Sequence, residues 1–482
     1  MTDRTPPPVH LRLNGEKVPE GSGGFFDHVD PVTARVNARI PLADKDDVDR
    51  AVGAAHAAYD SWRRTPPAIR RGMLMKLADL IDANADEFAR RGALDNGMPM
   101  SLAAGGIGIS AEWTRYYAGW ADKIAGEVTG QPLQDSELGY TLRQPYGVIG
   151  IVITWNGPLI SLAMKVPAAL AAGNTVVVKP SEMTPFAPEL FMDLVEEAGI
   201  PPGVVNILPG TAEAGHQLVT HDLVKKVSFT GGPVTATRIL EACAPSMKPV
   251  VLELGGKSAN IVLEDADLAT ACQHAAFMSV GLMTGQGCAF PTRLLVQESV
   301  YDQVLDGVLA TAASIVPGDP FDPATLTGPV VNEAAVERIM GMIERAQADG
   351  ARLLHGGRRM EREGFFIEPT VFADVDPASE LAQTEVFGPV LAITKFRTDD
   401  EAIEIANSTK YGLSGYIQTR DLKRATRIAA ELETGEVLIN GAMNLAVHRP
   451  FGGIGISGVG KEGGRAGIEE FLRVKSVGMG LV

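Results

Sequence analysis

From residue 147 onward the chain keeps one texture, a short apolar run followed by a stretch whose apolar residues recur three and four apart. The runs lie at 147–153, 175–178, 204–207, 226–229 and 249–252, with helical patterns between them such as 188–197 and 234–244. Runs without polar alternation suit strands covered on both faces, and strands joined through helices run parallel. This ordering admits little besides an α/β fold, a parallel sheet wrapped by helices. A second series at 260–263, 294–297, 353–354 and 437–440 has no fixed period, and it predicts a second α/β unit rather than a repeat.

Ahead of the first sheet, residues 44–62 and 69–91 carry helical spacing, and Asp95-Asn96-Gly97 supplies the chemistry that ends a helix. Residues 1–40 read as an irregular arm with short strands, ending near Ile40-Pro41. The segments 132–146 and 471–482 alternate in strand fashion outside both units, and they are expected to form a small β arm that pairs with another subunit. The chain thereby divides into a first unit of residues 1–124 and 146–255, a second of 256–457, and an arm with tail of 125–145 and 458–482.

Charge excludes one large class of partner. The 43 basic and 59 acidic residues leave a net −16 spread over 482 positions, whereas a polyphosphate backbone needs a basic face. No nucleic-acid partner is expected. The uncharged stretch 144–164 has the length of a membrane span, yet Asn156, Gly157, Pro158 and Ser161 break it. A strand, a loop and a helix account for it, so no membrane partner is expected either. The amino terminus shows neither the apolar core of a secretion signal nor an arginine-rich transit pattern. Three cysteines without a CxxC spacing suit a reducing compartment, and a cytoplasmic location is the expectation. Eight scattered histidines, the nearest pair being His216 and His221, give no metal-ligand spacing, so no metal is expected.

Ligands on a parallel sheet gather beyond the carboxyl ends of its strands, which points to the loops 154–158, 179–182, 208–212, 230–233 and 253–258. Three glycine strings are decoys. Residues 453–458 and 458–463 match the dinucleotide fingerprint but leave no room for the βαβ unit it requires, and 255–258 resemble a phosphate loop whose first glycine is replaced by Val251. Three residues carry chemistry. Cys288 follows glycines at 285 and 287, where a backbone can approach a ligand and a thiolate can act as nucleophile. Cys243 and Cys272 lie in helical patterns, where a thiol is ordinary packing. Glu253 ends an apolar strand and serves either as a base or as the ion-pair partner of Lys257. Asn156 follows the most apolar strand, and its amide either donates to an oxyanion or caps the next helix.

The strings Trp155-Asn156, Lys179-Pro-Ser-Glu182, Phe229-Thr-Gly231, Glu253-Leu-Gly-Gly-Lys-Ser258, Gly285-Gln-Gly-Cys288, Glu385-Val-Phe387-Gly-Pro-Val and Pro450-Phe451-Gly-Gly make the chain resemble the aldehyde dehydrogenase superfamily over nearly its whole length. The resemblance implies a Rossmann-like parallel-sheet cofactor domain, a second α/β catalytic domain carrying the cysteine, and a small β oligomerisation arm for a homodimer or homotetramer. It implies NAD(P)-dependent oxidation of a small-molecule aldehyde to a carboxylic acid. In that scheme Cys288 attacks the carbonyl, and Asn156 and the Cys288 N–H hold the oxyanion of the thiohemiacetal. Glu253 then activates the water that hydrolyses the thioester. Lys165 and Glu462 match positions that orient or relay the proton. Ile153, Thr154, Trp155, Lys179, Ser181, Glu182, Phe229, Thr230, Gly231, Gly232, Leu254, Glu385 and Phe387 match cofactor positions. A carboxylate such as Glu182 on the ribose repels a 2′-phosphate, so NAD is favoured, with NADP still compatible.

Some positions depart from the family's pattern. Gly232 stands where relatives carry serine, Thr154 replaces a proline, and Gly157, Ser161 and Met164 occupy positions often filled by larger side chains. The expectation is an open tunnel to Cys288 that takes bulky or aromatic aldehydes, completed by Phe290, Asn444, His448 and Phe451. A catalytically retired binding or structural protein on the same fold is disfavoured by Cys288, Glu253 and Asn156 together, and two other active outcomes fit the same residues. One is release of the thioester to CoA, which the glutamate at 253 disfavours. The other is a cysteine hydrolase without a redox cofactor, for which no protease signature surrounds Cys288.

Overall fold

The apolar runs become strands buried on both faces. In the computed structural model, which describes residues 3–129, 137–441 and 445–480, Ile149, Ile151, Val176, Val177, Val178 and Val227 are fully buried. They belong to the strands Val148–Val152, Thr175–Lys179 and Val224–Gly231, which run parallel with Val205–Ile207 and Val250–Leu254. Across the sheet their order is 205–207, 175–179, 148–152, 224–231, 250–254. The winding therefore reverses between Val148–Val152 and Val224–Gly231, and the loops leaving these two neighbours part to open a crevice. Helices pack on both faces, Pro158–Ala171 and Phe186–Glu197 on one, Lys45–Arg64 and Pro233–Cys243 on the other.

The second series forms a seven-stranded sheet. Six strands run parallel in the order Thr370–Ala373, Val390–Phe396, Arg293–Gln297, Ala259–Val262, Ser414–Gln418 and Glu436–Ile439, and Arg352–His355 adds an antiparallel edge. The segments read as an arm do pair with each other. Leu472–Gly480 runs antiparallel to Glu137–Pro145 over its full length, and Val128–Thr129 borders the far side. This three-stranded ribbon leaves Val128, Leu138, Leu142, Val474 and Met479 exposed. Among the described residues no helix is long and apolar enough to cross a membrane.

Four features differ from the sequence expectation, each for a physical reason. Residues 69–91 are not one helix but parts of two, Pro67–Ala83 and Ala85–Asn96, divided where the Asn84 amide donates to the Leu80 carbonyl at 2.8 Å. The amino-terminal arm is not free, because Leu11–Leu13, too short for a readable period, joins the edge of the first sheet. The helix Met100–Ala118 went unread because Gly105, Gly106 and Gly108 dilute its apolar stripe. The segment from 458, placed in sequence with the tail, returns to the first sheet: Gly458–Val459 pairs with Leu252 and Glu253, and the helix Gly464–Glu469 packs on Pro158–Ala171. That pairing uses backbone groups alone, which no side-chain pattern reveals.

Candidate active site

The loop carrying Cys288 leaves its helix under strain. The helix Leu268–Ala276 widens into a π turn at Phe277–Gly281, and Met283 and Thr284 then take φ of 48° and 54°. Non-glycine residues in that region cost about 1–3 kcal/mol each, so fixed partners must hold them. Thr284 donates to the Gly328 carbonyl at 2.9 Å, and Gln286 accepts from the Val331 N–H at 3.1 Å. The glycine pair at 255–256 explains itself from the other side. A Cβ on Gly256 would lie 2.5 Å from the Cys288 carbonyl oxygen, and one on Gly255 would lie 2.0 Å from Glu385 Oε2. Two functional segments thus close on the end of one strand, and only glycine leaves room for both.

Asn156 reaches the same loop from the first sheet. Its Nδ2 donates to the Gln286 carbonyl at 2.8 Å, and its Oδ1 accepts from the Thr154 hydroxyl at 2.9 Å. The amide is thereby oriented with its nitrogen toward the cysteine loop, and its second N–H has no partner assigned among these bonds. Asn96 fixes the backbone beneath by donating to the carbonyls of Trp155 at 3.0 Å and Asn156 at 3.3 Å. Thr154, matched in sequence to a cofactor position, orients this amide through its hydroxyl.

Glu253 is 4% exposed, and neither carboxylate oxygen has a hydrogen-bond partner among the described residues. Burial holds its pKa well above the usual carboxylate range, and Glu462 adds to this, while Lys165 and Lys461 oppose it. Lys165, fully buried, pairs with Glu462 and donates to the Ser228 hydroxyl at 3.1 Å. Burial also pushes the Cys288 thiol up to about 12, reinforced by Glu385 and Glu253. The Gly452-Gly453 pair belongs to this site too, since a Cβ on Gly452 would lie 2.4 Å from Glu253 Oε1. Gly452→Ala is therefore expected to displace the carboxylate and lower kcat roughly 10–100-fold, with the cofactor Kd little changed, as steady-state kinetics and a binding titration would read.

Along the crevice, Lys179 closes the strand Thr175–Lys179 and donates to the Pro180 carbonyl at 2.9 Å, with Glu182 at 3.5 Å. Ser181 accepts from the Met183 N–H at 3.3 Å. Beyond Thr230 and Gly231, the helix Pro233–Cys243 starts at Gly232 with no side-chain cap and with open space around that glycine. Its first amide groups are the kind of site that accepts a phosphate. Phe229 packs beneath Gly231, and Ile153 and Leu254 are likewise buried in the core. These three shape the backbone from which the crevice loops leave. Trp155 meets the Phe387 ring edge to face with centroids 5.3 Å apart. Glu385 accepts from the Gly256 N–H at 3.1 Å, and burial lifts its pKa to about 7.

Arg338 was invisible in the sequence. Its guanidinium donates to the carbonyls of Val386 and Phe387, clamping the loop that carries Glu385, yet it reads as one more charge on the polar face of the helix Glu333–Ala348. Cys243 and Cys272 are buried packing residues whose thiols burial also raises.

An apolar pocket of about 250 Å³ touches Asn156 and Gly157 and is walled by Phe88, Met98, Ile107, Ile160 and Leu282. About half of this wall comes from the helices Ala85–Asn96 and Met100–Ala118, whose sequence gives no sign of a link to the site. Ser161 and Met164 are buried and do not line it. Phe290 is buried against Gly287, Phe451 is buried and backbone-paired with Glu462, and His448 is exposed. Asn444 lies outside the described residues.

Comparison with known proteins agrees with this geometry. The model of the aldehyde dehydrogenase family matches residues 18–477. An aldehyde dehydrogenase of Aspergillus niger is 40% identical, covering 98% of this chain and 95% of its own. The mitochondrial aldehyde dehydrogenase of Rattus norvegicus is 41% identical, covering 96% and 90%. The NAD+ complex of an aldehyde dehydrogenase from Bacillus cereus superposes with a TM-score of 0.95 at 39% identity, covering 99% and 97%. With a family match over nearly its full length and two α/β sheets closing on Cys288, the chain belongs to the aldehyde dehydrogenase family.

Proposed function

We propose that the protein oxidises an aldehyde to a carboxylic acid through a thiohemiacetal and then a thioester on Cys288. One observation carries the reading: the Asn156 amide, bonded to the loop two residues before Cys288, and the unpartnered Glu253 carboxylate converge on the thiol from separate segments. Attack by the thiolate places negative charge on the former carbonyl oxygen, and Asn156 with the Cys288 N–H stabilises it. NAD would be held in the crevice by Glu182 and Lys179 at the adenosine ribose, the amides after Gly232 at the pyrophosphate and Glu385 at the nicotinamide ribose. Bound there, it supplies a hydride acceptor. Glu182 disfavours a ribose 2′-phosphate, which makes NAD the preferred form over NADP. Glu253 then takes a proton from water as the thioester is cleaved.

The apolar pocket beside Gly157 favours bulky or aromatic aldehydes. Gly157→Phe is expected to lower kcat/KM for such aldehydes about 10-fold or more relative to acetaldehyde, because a ring there fills the entrance. An aldehyde panel followed by NADH absorbance, run with and without CoA, tests the whole reading. Carboxylic acid formed at the same rate in both arms supports it, and a strict need for CoA overturns the hydrolytic step. The exposed apolar residues of the three-stranded ribbon favour assembly into a homodimer or homotetramer. A thiol nucleophile suits the reducing cytoplasm.

A further inference from the structure

We propose that Lys461 is a positioning residue that favours the ionised form of Glu253. The proposal rests on Glu253 acting as the base of the deacylation step. Its ground is the packing around Gly452. A Cβ on that glycine would lie 2.4 Å from Glu253 Oε1 and 3.1 Å from Lys461 Cδ, so carboxylate and lysine stem share the same small space. The Lys461 ammonium donates to the carbonyls of Gly452 and Gly453 and, among the described residues, forms no ion pair with a carboxylate. Its positive charge is therefore not neutralised locally.

The other cation near Glu253 is different. Lys165, on the helix Pro158–Ala171, is paired with Glu462, so the two largely cancel at a distance. That leaves Lys461 as the residual positive field. Glu470 stands behind it, accepting from the Lys461 N–H at 3.3 Å through Oε1 and from Lys226 at 2.7 Å through Oε2. The remaining groups facing this cluster are Cys288 from its loop, Ser228 beside Lys165, and Tyr117, whose ring stands beside Glu462 and Gly463. Burial disfavours the Glu253 carboxylate, Glu462 and Glu470 add to that, and the two lysines counter it. A neighbouring positive charge moves a carboxyl pKa downward, which widens the pH range over which the base is ionised.

The test follows deacylation after a burst of NADH, as a function of pH, by rapid mixing. A base works only when ionised, so the rate rises with pH through the pKa of Glu253. Lys461→Met is expected to move that rise about one pH unit higher and Lys461→Arg to leave it in place. A rise moved by methionine and restored by arginine is the signature, since a loosened site would slow the reaction without moving its profile. Thermal midpoints and NAD titrations establish that each variant is folded. An unmoved Lys461→Met profile, or a moved one that Lys461→Arg shares, overturns the proposal. Glu253→Gln separates the two levels: if it deacylates like the wild type, the role of Glu253 itself fails, and if it stalls while the other profiles stay fixed, only the present inference fails.

Discussion

Replacing Cys288 with alanine abolishes aldehyde oxidation, with kcat reduced about 10⁴-fold or more, while NAD still binds. The two halves of that expectation come from different parts of the fold. The residues proposed to hold the cofactor lie on the strands ending at Lys179 and Gly231 and on the Arg338-clamped loop, none of which depends on the sulfur. The nucleophile is one atom on a strained turn. Removing it leaves Asn156 and its carbonyl partner at Gln286 in place, so the variant retains the shape of the site and loses its chemistry. A tryptophan-fluorescence titration with NAD, beside NADH formation from a reactive aldehyde, checks both. Lost NAD affinity in a variant that melts like the wild type would contradict the assigned role. The thiol adds a second readout. Burial pushes it up to about 12, so in the protein without cofactor it is almost wholly protonated at neutral pH. Alkylation of Cys288 by iodoacetamide, followed by intact mass, is then expected to climb steadily with pH and to show no plateau below about pH 10.

Much of the architecture was legible because its determinants are local. The runs that became Val148–Val152 and Thr175–Lys179 advertise strands buried on both faces, and the helical stretches between them require parallel order. Loop glycines were legible too, although their physical reason was not: Gly255 and Gly256 look like a phosphate loop in sequence and are instead the floor against which Glu385 and Cys288 press. Whatever depends on contacts between distant segments stayed hidden. Asn96, Thr154 and Arg338 orient the Asn156 amide, its backbone and the Glu385 loop, yet each is an unremarkable polar residue in its own neighbourhood. The pocket wall shows the same limit. Phe451 and Phe290 are buried, and part of the apolar wall beside Asn156 is supplied by a glycine-diluted helix with no readable stripe.

Glu253→Gln gives the sharpest view of the second half-reaction. It is expected to permit one rapid turnover and then stall, with deacylation slowed about 10²–10⁴-fold, because glutamine preserves shape but cannot take a proton. A burst of NADH equal to the number of sites, together with an intact mass raised by the acyl group on Cys288, is the predicted record. The substitution does not threaten the fold, and the sign of the titration says why. Burial and Glu462 raise the pKa of Glu253 in the folded chain, so its ionisation opposes folding as pH rises through that value, whereas the protonated form is tolerated. An uncharged amide removes that opposition, and at neutral and alkaline pH the variant should melt no lower than the wild type. The pH dependence of the slow step should vanish with it. Wild-type deacylation falls as Glu253 is protonated, while the residual rate in the variant has no such group to lose. If the variant turned over continuously and no acyl adduct accumulated, water would be activated by another group, and the buried pair of Lys165 and Glu462 would be the next place to look.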